Sequence, residues 1–185
     1  VDMDNGDVLL QLRAPGKIDV FVLGNFNDWS ATAEGRMQKS IDGETFWLMV
    51  PAADIDGDLI YHYLIDGNIR QPDPYSALVL DPNNDRFINN QTFSGIPPYP
   101  ARAAGILTWH RRNVAPFNWQ TAADYDRPDP KKMVVYELLL RDFLADHSFK
   151  SLTDTLSYLE RLGVNAIELL TVSASANTHS RPFYP

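Results

Sequence analysis

Two apolar runs, residues 134–140 and 166–172, bracket an amphipathic segment at 151–162, and this pattern restricts the fold more than any other feature of the chain. In the middle segment Leu152, Leu156, Leu159 and Leu162 recur at helical spacing on one face. Ser151 and Asp154 match a capping box in its looser form. Gly163 suits the left-handed position that ends a helix, with Val164 available for the accompanying apolar contact. The spacing therefore predicts strand, helix, strand. Two parallel strands need a crossover of this kind, so the segment reads as the opening of a parallel α/β sheet or barrel. A barrel closes only after several more such units, and the sequence stops at Pro185. The expectation is a barrel that has only begun.

Upstream the period changes from helical to alternating. Apolar runs at 8–12 and 17–23 are separated by Ala14-Pro15-Gly16, a turn signal. Asp42-Gly43 lies between 37–41 and 45–50, and Asp66-Gly67 between 59–65 and 68–71; both are hairpin signatures. Within 59–65, Leu59, Tyr61, Tyr63 and Ile65 share one face, and Ile60, His62 and Leu64 the other. Short strands with regular turns predict an all-β, immunoglobulin-like sandwich over 1–93, near the ~100 residues usual for such a domain. From 94 to 130, Pro97, Pro98, Pro100, Pro116, Pro128 and Pro130 interrupt regular structure, while Tyr99, Trp109, Phe117, Trp119 and Tyr125 persist. Free linkers rarely contain so many aromatics, so this stretch is expected to be an ordered connector. The chain thus divides into a sandwich (1–93), a connector (94–130) and a truncated (β/α) barrel fragment (131–185).

Charge and composition exclude several classes of function. The net charge is −8 and no basic run interrupts it, which suits neither nucleic acid nor an anionic membrane. With no cysteine, disulfides, thiolate metal sites and cysteine nucleophiles are ruled out. His62, His110, His147 and His179 are scattered singly, without metal-ligand spacing. Asp54, Asp56 and Asp58 alternate as in a calcium loop but lack its glycine, where Leu59 stands; Asp81, Asn83 and Asp85 fail likewise at Arg86. Both read as polar turns, and no metal or cofactor is expected. The polar first residues show no signal peptide. A mature or trimmed chain would begin the same way, so localisation stays open. Asn90-Gln91-Thr92 is a formal glycosylation sequence with no context to give it meaning.

Specific residues carry a family resemblance. Val135-Tyr-Glu-Leu-Leu-Leu-Arg-Asp-Phe143, followed by 152–170, resembles the first strand, first helix and second strand of the α-amylase family of glycoside hydrolases. Gly24-Asn-Phe-Asn-Asp-Trp29 resembles the signature of the glycogen-binding-module type of β-sandwich that precedes such barrels. Module, connector and barrel start follow the family's order. The resemblance implies the N-terminal portion of an enzyme acting on α-glucosidic bonds of starch or glycogen, with an α-glucan as partner. It also implies that this chain lacks the catalytic carboxylates, which the family carries on later strands, so no catalytic residue is assigned. Glu137, Asp142 and Glu168 are the tempting substitutes, Asp142 at a strand end where barrel enzymes keep their chemistry. Their competing role is structural, as partners of Arg141 and Arg161 or as solvated strand ends. After the second strand the sequence departs from the family: Thr171 stands where proline is usual, and the family's Gly-Tyr pair is missing.

The resemblance makes Trp29 and His62 the candidate carbohydrate-binding residues. Of two further positions used by binding-competent modules, a lysine is replaced by His62 and a tryptophan by Ile69. Packing of Trp29 in the core or against a neighbouring domain is the competing reading. A different class of function also fits: a non-catalytic carbohydrate-binding or interaction module whose barrel start has become a docking element. Two barrel strands and one helix leave apolar residues such as Leu138, Leu140, Ile167 and Leu169 short of partners, which predicts self-association through the fragment.

Overall fold

The computed structural model describes residues 1–90, 92–112, 114–116, 118–119 and 125–170. Phe117, the departures from Thr171 onward and the end of the second apolar run lie outside them. The chain divides into two compact units, residues 1–85 with 97–114, and residues 86–96 with 115–185.

The described residues of the first unit form eight strands: β1 (Val8–Arg13), β2 (Val20–Gly24), β3 (Gln38–Lys39), β4 (Thr45–Val50), β5 (Leu59–Ile65), β6 (Ile69–Gln71), β7 (Val79–Leu80) and β8 (Leu107–His110). They form a three-stranded sheet in the order β1-β4-β3 and a five-stranded sheet in the order β2-β5-β8-β7, with β6 paired to β5. Val8, Leu10, Leu12, Phe46 and Val50 from the first sheet meet Val20, Val22, Leu59, Tyr61, Tyr63 and Ile65 from the second in one core. That is a β-sandwich, and of the two faces of β5 that alternation separates, the one carrying Leu59, Tyr61, Tyr63 and Ile65 enters the core. The hairpin at Asp66-Gly67 forms with Ile65 opposite Ile69. Asp66 and Gly67 have φ of 49° and 72°, a left-handed pair that suits the twist of a hairpin, and the Asn68 N–H closes the turn on the Ile65 carbonyl at 3.2 Å. The hairpin at Asp42-Gly43 also forms, with Gln38 opposite Trp47.

One element falls where a connector was expected. Strand β8 pairs with both β5 and β7, although it lies within 94–130. The expectation counted prolines but not their positions. Pro97, Pro98, Pro100 and Pro116 flank residues 107–110 and leave their backbone N–H groups free to join the ladder.

In the second unit, β9 (Val135–Leu139) and β10 (Ala166–Leu170) pair in parallel, with α1 (Leu140–Phe143) and α2 (Phe149–Arg161) between them. The expected helix is present but begins earlier. Its cap is Ser148, whose Oγ accepts from the Ser151 N–H at 3.1 Å, so Ser151 lies inside the first turn and does not cap it. Phe149 joins the apolar cluster of Leu138, Leu140, Leu152 and Leu159, which favours starting the helix at that residue. At the other end Gly163 has φ of 85°, and Val164 packs on the cluster as expected. Leu156 and Leu162, predicted on the same stripe, remain 41% and 58% exposed.

Candidate functional site

Each residue of the Gly24–Trp29 turn has a physical task. Gly24 is extended rather than left-handed, so its requirement is space: a Cβ there would lie 2.7 Å from the Ile60 carbonyl oxygen. Asn25 ties the turn to the start of β5, donating to the Asp58 carbonyl at 2.8 Å and accepting from the Ile60 N–H at 3.0 Å. Phe26 packs against the sandwich core. Asn27 is buried and uses both ends of its amide, accepting from Gly24 N–H at 2.9 Å and donating to the Val22 carbonyl at 2.8 Å. Asp28 and Trp29 then adopt φ of 52° and 61°, a left-handed pair uncommon for side chains of this size. Trp29 N–H closes the turn on the Gly24 carbonyl at 3.0 Å, and the Asp28 carboxylate pairs with the Arg102 guanidinium.

The turn places the half-buried indole of Trp29 against His62, with ring centroids 5.9 Å apart and planes inclined at 54°. The two sequence-predicted residues therefore meet. They are not equivalent, because His62 is fully buried. Its Nε2 lies 2.9 Å from Arg70 Nη1. Arginine only donates, so Nε2 must be the accepting, unprotonated nitrogen and the hydrogen sits on Nδ1. Nδ1 has no partner among the described residues. Burial first, then the adjacent Arg70 charge, depress the imidazole pKa from 6.5 to about 4. A buried ring under tryptophan cannot present a hydrogen-bonding nitrogen to a sugar directly, so any ligand would be met by the indole. Ile69 is 41% exposed and aliphatic, and offers no second stacking face.

Arg70 was not singled out from the sequence, although the hairpin register points to it. With Ile65 opposite Ile69, Arg70 falls opposite Leu64, on the face of the sheet that also carries His62. Asp73 was missed as well. Its Oδ2 accepts from both Tyr61 Oη at 2.8 Å and Tyr63 Oη at 2.9 Å. Burial, with Asp73 nearby, pushes both phenols to higher pKa. Tyrosines two apart on a core-facing strand need a buried acceptor, and that requirement was the available signal.

The acidic candidates of the second unit are all exposed. Glu137 and Glu168 stand side by side in the β9–β10 register, both exposed. Asp142 is exposed and paired with its neighbour Arg141, whose Nε donates at 2.6 Å and Nη2 at 3.0 Å. That hydrogen bond holds the Asp142 carboxyl below the ordinary carboxylate range. A general acid needs the opposite shift.

No family model matches the chain. Among curated proteins it is 28% identical over 154 residues to the malto-oligosyltrehalose trehalohydrolase of Brevibacterium helvolum, covering 80% of this chain and 22% of that protein. It is 27% identical over 161 residues to the 1,4-α-glucan branching enzyme GlgB of Kitasatospora aureofaciens, covering 86% and 19%. The chain thus spans about a fifth of the length of these relatives. Its fold is that of a Salmonella typhimurium protein assigned as an α-amylase, with a TM-score of 0.63 at 19% identity, over 95% of this chain and 25% of that one. It also matches the apo pullulanase of Paenibacillus barengoltzii, with a TM-score of 0.58 at 22% identity, over 92% and 26%. A structure of that pullulanase with maltohexaose and α-cyclodextrin aligns with a TM-score of 0.57 at 21% identity, over 92% of this chain and 26% of that one.

Proposed function

We propose, because the chain belongs to the α-amylase family of glycoside hydrolases, that it is the N-terminal portion of an enzyme acting on α-glucosidic bonds of starch or glycogen. In this reading an immunoglobulin-like sandwich precedes the first β–α–β unit of a (β/α)8 barrel. The observation that supports it is the order of architectures in one chain: an antiparallel sandwich, then a parallel strand pair joined through a helix. The sandwich is an architectural module, and the carboxylates that cleave or transfer lie outside these residues. Within the module, Trp29 is the surface where a glucan contact would fall, with His62 as the ring beneath it.

The second unit carries a further part of the proposal. Leu138 and Leu140 are buried in the apolar cluster and Ile167 and Leu169 pack against it, so the residues expected from the sequence to lack partners have them. Met133, Val134, Val135, Tyr136 and Leu170 are the ones exposed around the β9–β10 pair, and apolar surface of that kind at open strand edges drives association. The chain by itself should therefore self-associate through this unit.

The test uses both properties. The chain, and a longer product of its source gene that includes it, are assayed for turnover of soluble starch and glycogen. The longer product is expected to release or transfer α-glucan and the chain alone to do neither; no α-glucan activity in the longer product overturns the reading. Sedimentation of the chain alone should show concentration-dependent association. A monodisperse monomer would remove the second part.

A further inference from the structure

The sandwich is open along one side, where a cleft of about 700 Å³ lies between β1 and the residues that lead into β7 and form β8. Val8 and Leu10 line it from β1, Leu78, Tyr61 and Asp73 line it from the other side, and Tyr75 borders it. Its volume falls within the roughly 300–1,000 Å³ of small-molecule sites, and apolar and aromatic surface with a few polar groups is their usual lining. Tyr75 is 93% exposed, so its ring is free of the core and available to an occupant of the cleft.

Asp73 is the acidic residue of this lining and is half-buried. Its Oδ2 accepts from Tyr61 and Tyr63, and its Oδ1 from the Tyr75 N–H. An ionised carboxylate has about four acceptor positions, so one remains on Oδ1. None of these donors is charged, and Asp73 enters no ion pair among the described residues. The cationic groups around the cleft are engaged elsewhere. Arg111 borders it, but its guanidinium lies over the Trp109 ring, 5.7 Å from the centre. Trp109 projects from the opposite face of β8 to Thr108, whose Oγ1 accepts from the Asp73 N–H. His110 is held by Asp2, and the Val1 ammonium by the Leu9 carbonyl. The cleft therefore carries an uncompensated negative charge beside apolar walls.

We propose that this cleft binds a small amphipathic organic cation, an ammonium or guanidinium carried on an apolar stem or ring. Charge complementarity selects the cation. An N–H of the ligand takes the open position on Asp73 Oδ1, and a hydrogen bond between two charged groups is about twice as strong as a neutral one. Val8, Leu10 and Leu78 receive the apolar body, and Tyr75 offers a π face to the cationic end. A neutral sugar brings no charge to Asp73, and an anion is repelled by it. The net charge of −8 acts in the same direction, drawing cations toward the chain. Neither Trp29 nor His62 lines the cleft, so its ligand is independent of any glucan contact at those residues.

The probes are 2-phenylethylammonium, its neutral isostere 2-phenylethanol, and maltose, each titrated into the full chain and followed through backbone amides by NMR. The amides of Tyr61, Tyr75 and Thr108 are expected to shift saturably with the ammonium, at an affinity at least about tenfold above that for the alcohol. Maltose should leave them in place. Added sodium chloride should weaken the ammonium and not the alcohol. Asp73→Asn keeps an acceptor for the tyrosines and should bind the two isosteres alike. Tyr75→Ala, at an exposed position, should weaken the ammonium several-fold in a protein that stays folded. The proposal is overturned by no saturable shift with the ammonium, by equal affinity for the two isosteres, by ammonium binding that salt leaves unchanged, or by shifts with maltose alone. A folded Asp73→Asn protein that still prefers the ammonium overturns it too. If Asp73→Asn does not fold, the isostere comparison and its salt dependence in the wild-type chain decide by themselves.

Discussion

Arg70 and His62 share one hydrogen bond, 2.9 Å from Nη1 to Nε2, and it exists only while the imidazole is neutral. Protonation would place a second cation against the guanidinium inside a site with no exposure. The folded pKa, about 4, lies below the ordinary 6.5. Between those values the unfolded chain binds the proton and the folded chain does not, so stability rises with pH across that window. The contribution of the neutral ring is complete above the unfolded value and is lost as pH falls toward 4.

The first prediction follows from that sign. Urea denaturation should show stability falling between pH 7 and pH 4.5 by an amount on the order of 2–3 kcal/mol. His62→Leu should flatten that part of the profile. Asp66 also loses stabilising bonds in acid, because the N–H groups of Ile18 and Asp19 and the Lys17 ammonium hold its carboxyl low, but its window lies below pH 4. A His62→Leu profile parallel to wild type from pH 7 to 4.5 would exclude this account.

Trp29 offers two separable outcomes. The half-buried indole covers His62, so Trp29→Ala should cost about 2–4 kcal/mol, toward the lower end for deletion of a large aromatic. Affinity electrophoresis in glycogen gels should show little retardation of wild type, because buried His62 and aliphatic Ile69 supply no second sugar-facing group. Strong retardation that disappears in a folded Trp29→Ala protein would make the turn a binding site first and a packing element second.

Asn27 and Gly35 guard the same carbonyl. The Val22 oxygen accepts from Asn27 Nδ2 at 2.8 Å, and a Cβ on Gly35 would lie 2.4 Å from that oxygen and 2.5 Å from the same amide nitrogen. Gly35→Ala must displace backbone or break the Asn27 bond, and a loss of at least about 2 kcal/mol is expected. Asn27→Asp removes the donor and buries a charge, with an expected cost of about 3 kcal/mol or more. Thermal melts of both variants check this; a Gly35→Ala protein as stable as wild type would show that the turn can shift.

Asp142 should have no catalytic role. It is exposed, paired with Arg141 and held in its anionic form. The purified chain should release no reducing sugar from soluble starch, and Asp142→Asn should change nothing in that assay. Turnover that survives repurification and vanishes in Asp142→Asn would contradict this reading of the second unit.

The sequence made strands and their faces legible because alternation and Asp-Gly turns are local signals. The two faces of β5 and both hairpins could be read without knowing any partner strand, though which face enters the core could not. What could not be read depended on long-range pairing. Strand β8 was hidden among prolines because its pairing with β5 and β7 joins residues far apart in sequence. Ser148 was overlooked as the helix cap because Phe149 enters the second core, which becomes visible only when Leu138 and Leu159 come together. At the candidate site the family resemblance singled out Trp29 and His62, but their contact was visible only in the fold. The burial of His62, which changes what it can do, depends on tertiary contacts around it.

Asp73 carries the last prediction, because two core tyrosines depend on one of its oxygens. Its Oδ2 accepts from Tyr61 and Tyr63, its Oδ1 from the Tyr75 N–H at 2.8 Å, and its own N–H donates to Thr108 Oγ1 at 2.7 Å. Asp73→Ala leaves two phenol hydroxyls at 3% and 0% residue exposure without this acceptor, which should cost about 2–4 kcal/mol. Asp73→Asn keeps a carbonyl oxygen for at least one hydroxyl and should cost less. The decisive comparison is with Tyr61→Phe and Tyr63→Phe introduced together. If unsatisfied hydroxyls cause the loss, Asp73→Ala should be far less damaging in that background than in wild type, since no buried donor is left unpaired. Equal losses in both backgrounds, measured by urea denaturation, would show that Asp73 acts through the loop bonds to Tyr75 and Thr108 and not through the tyrosines.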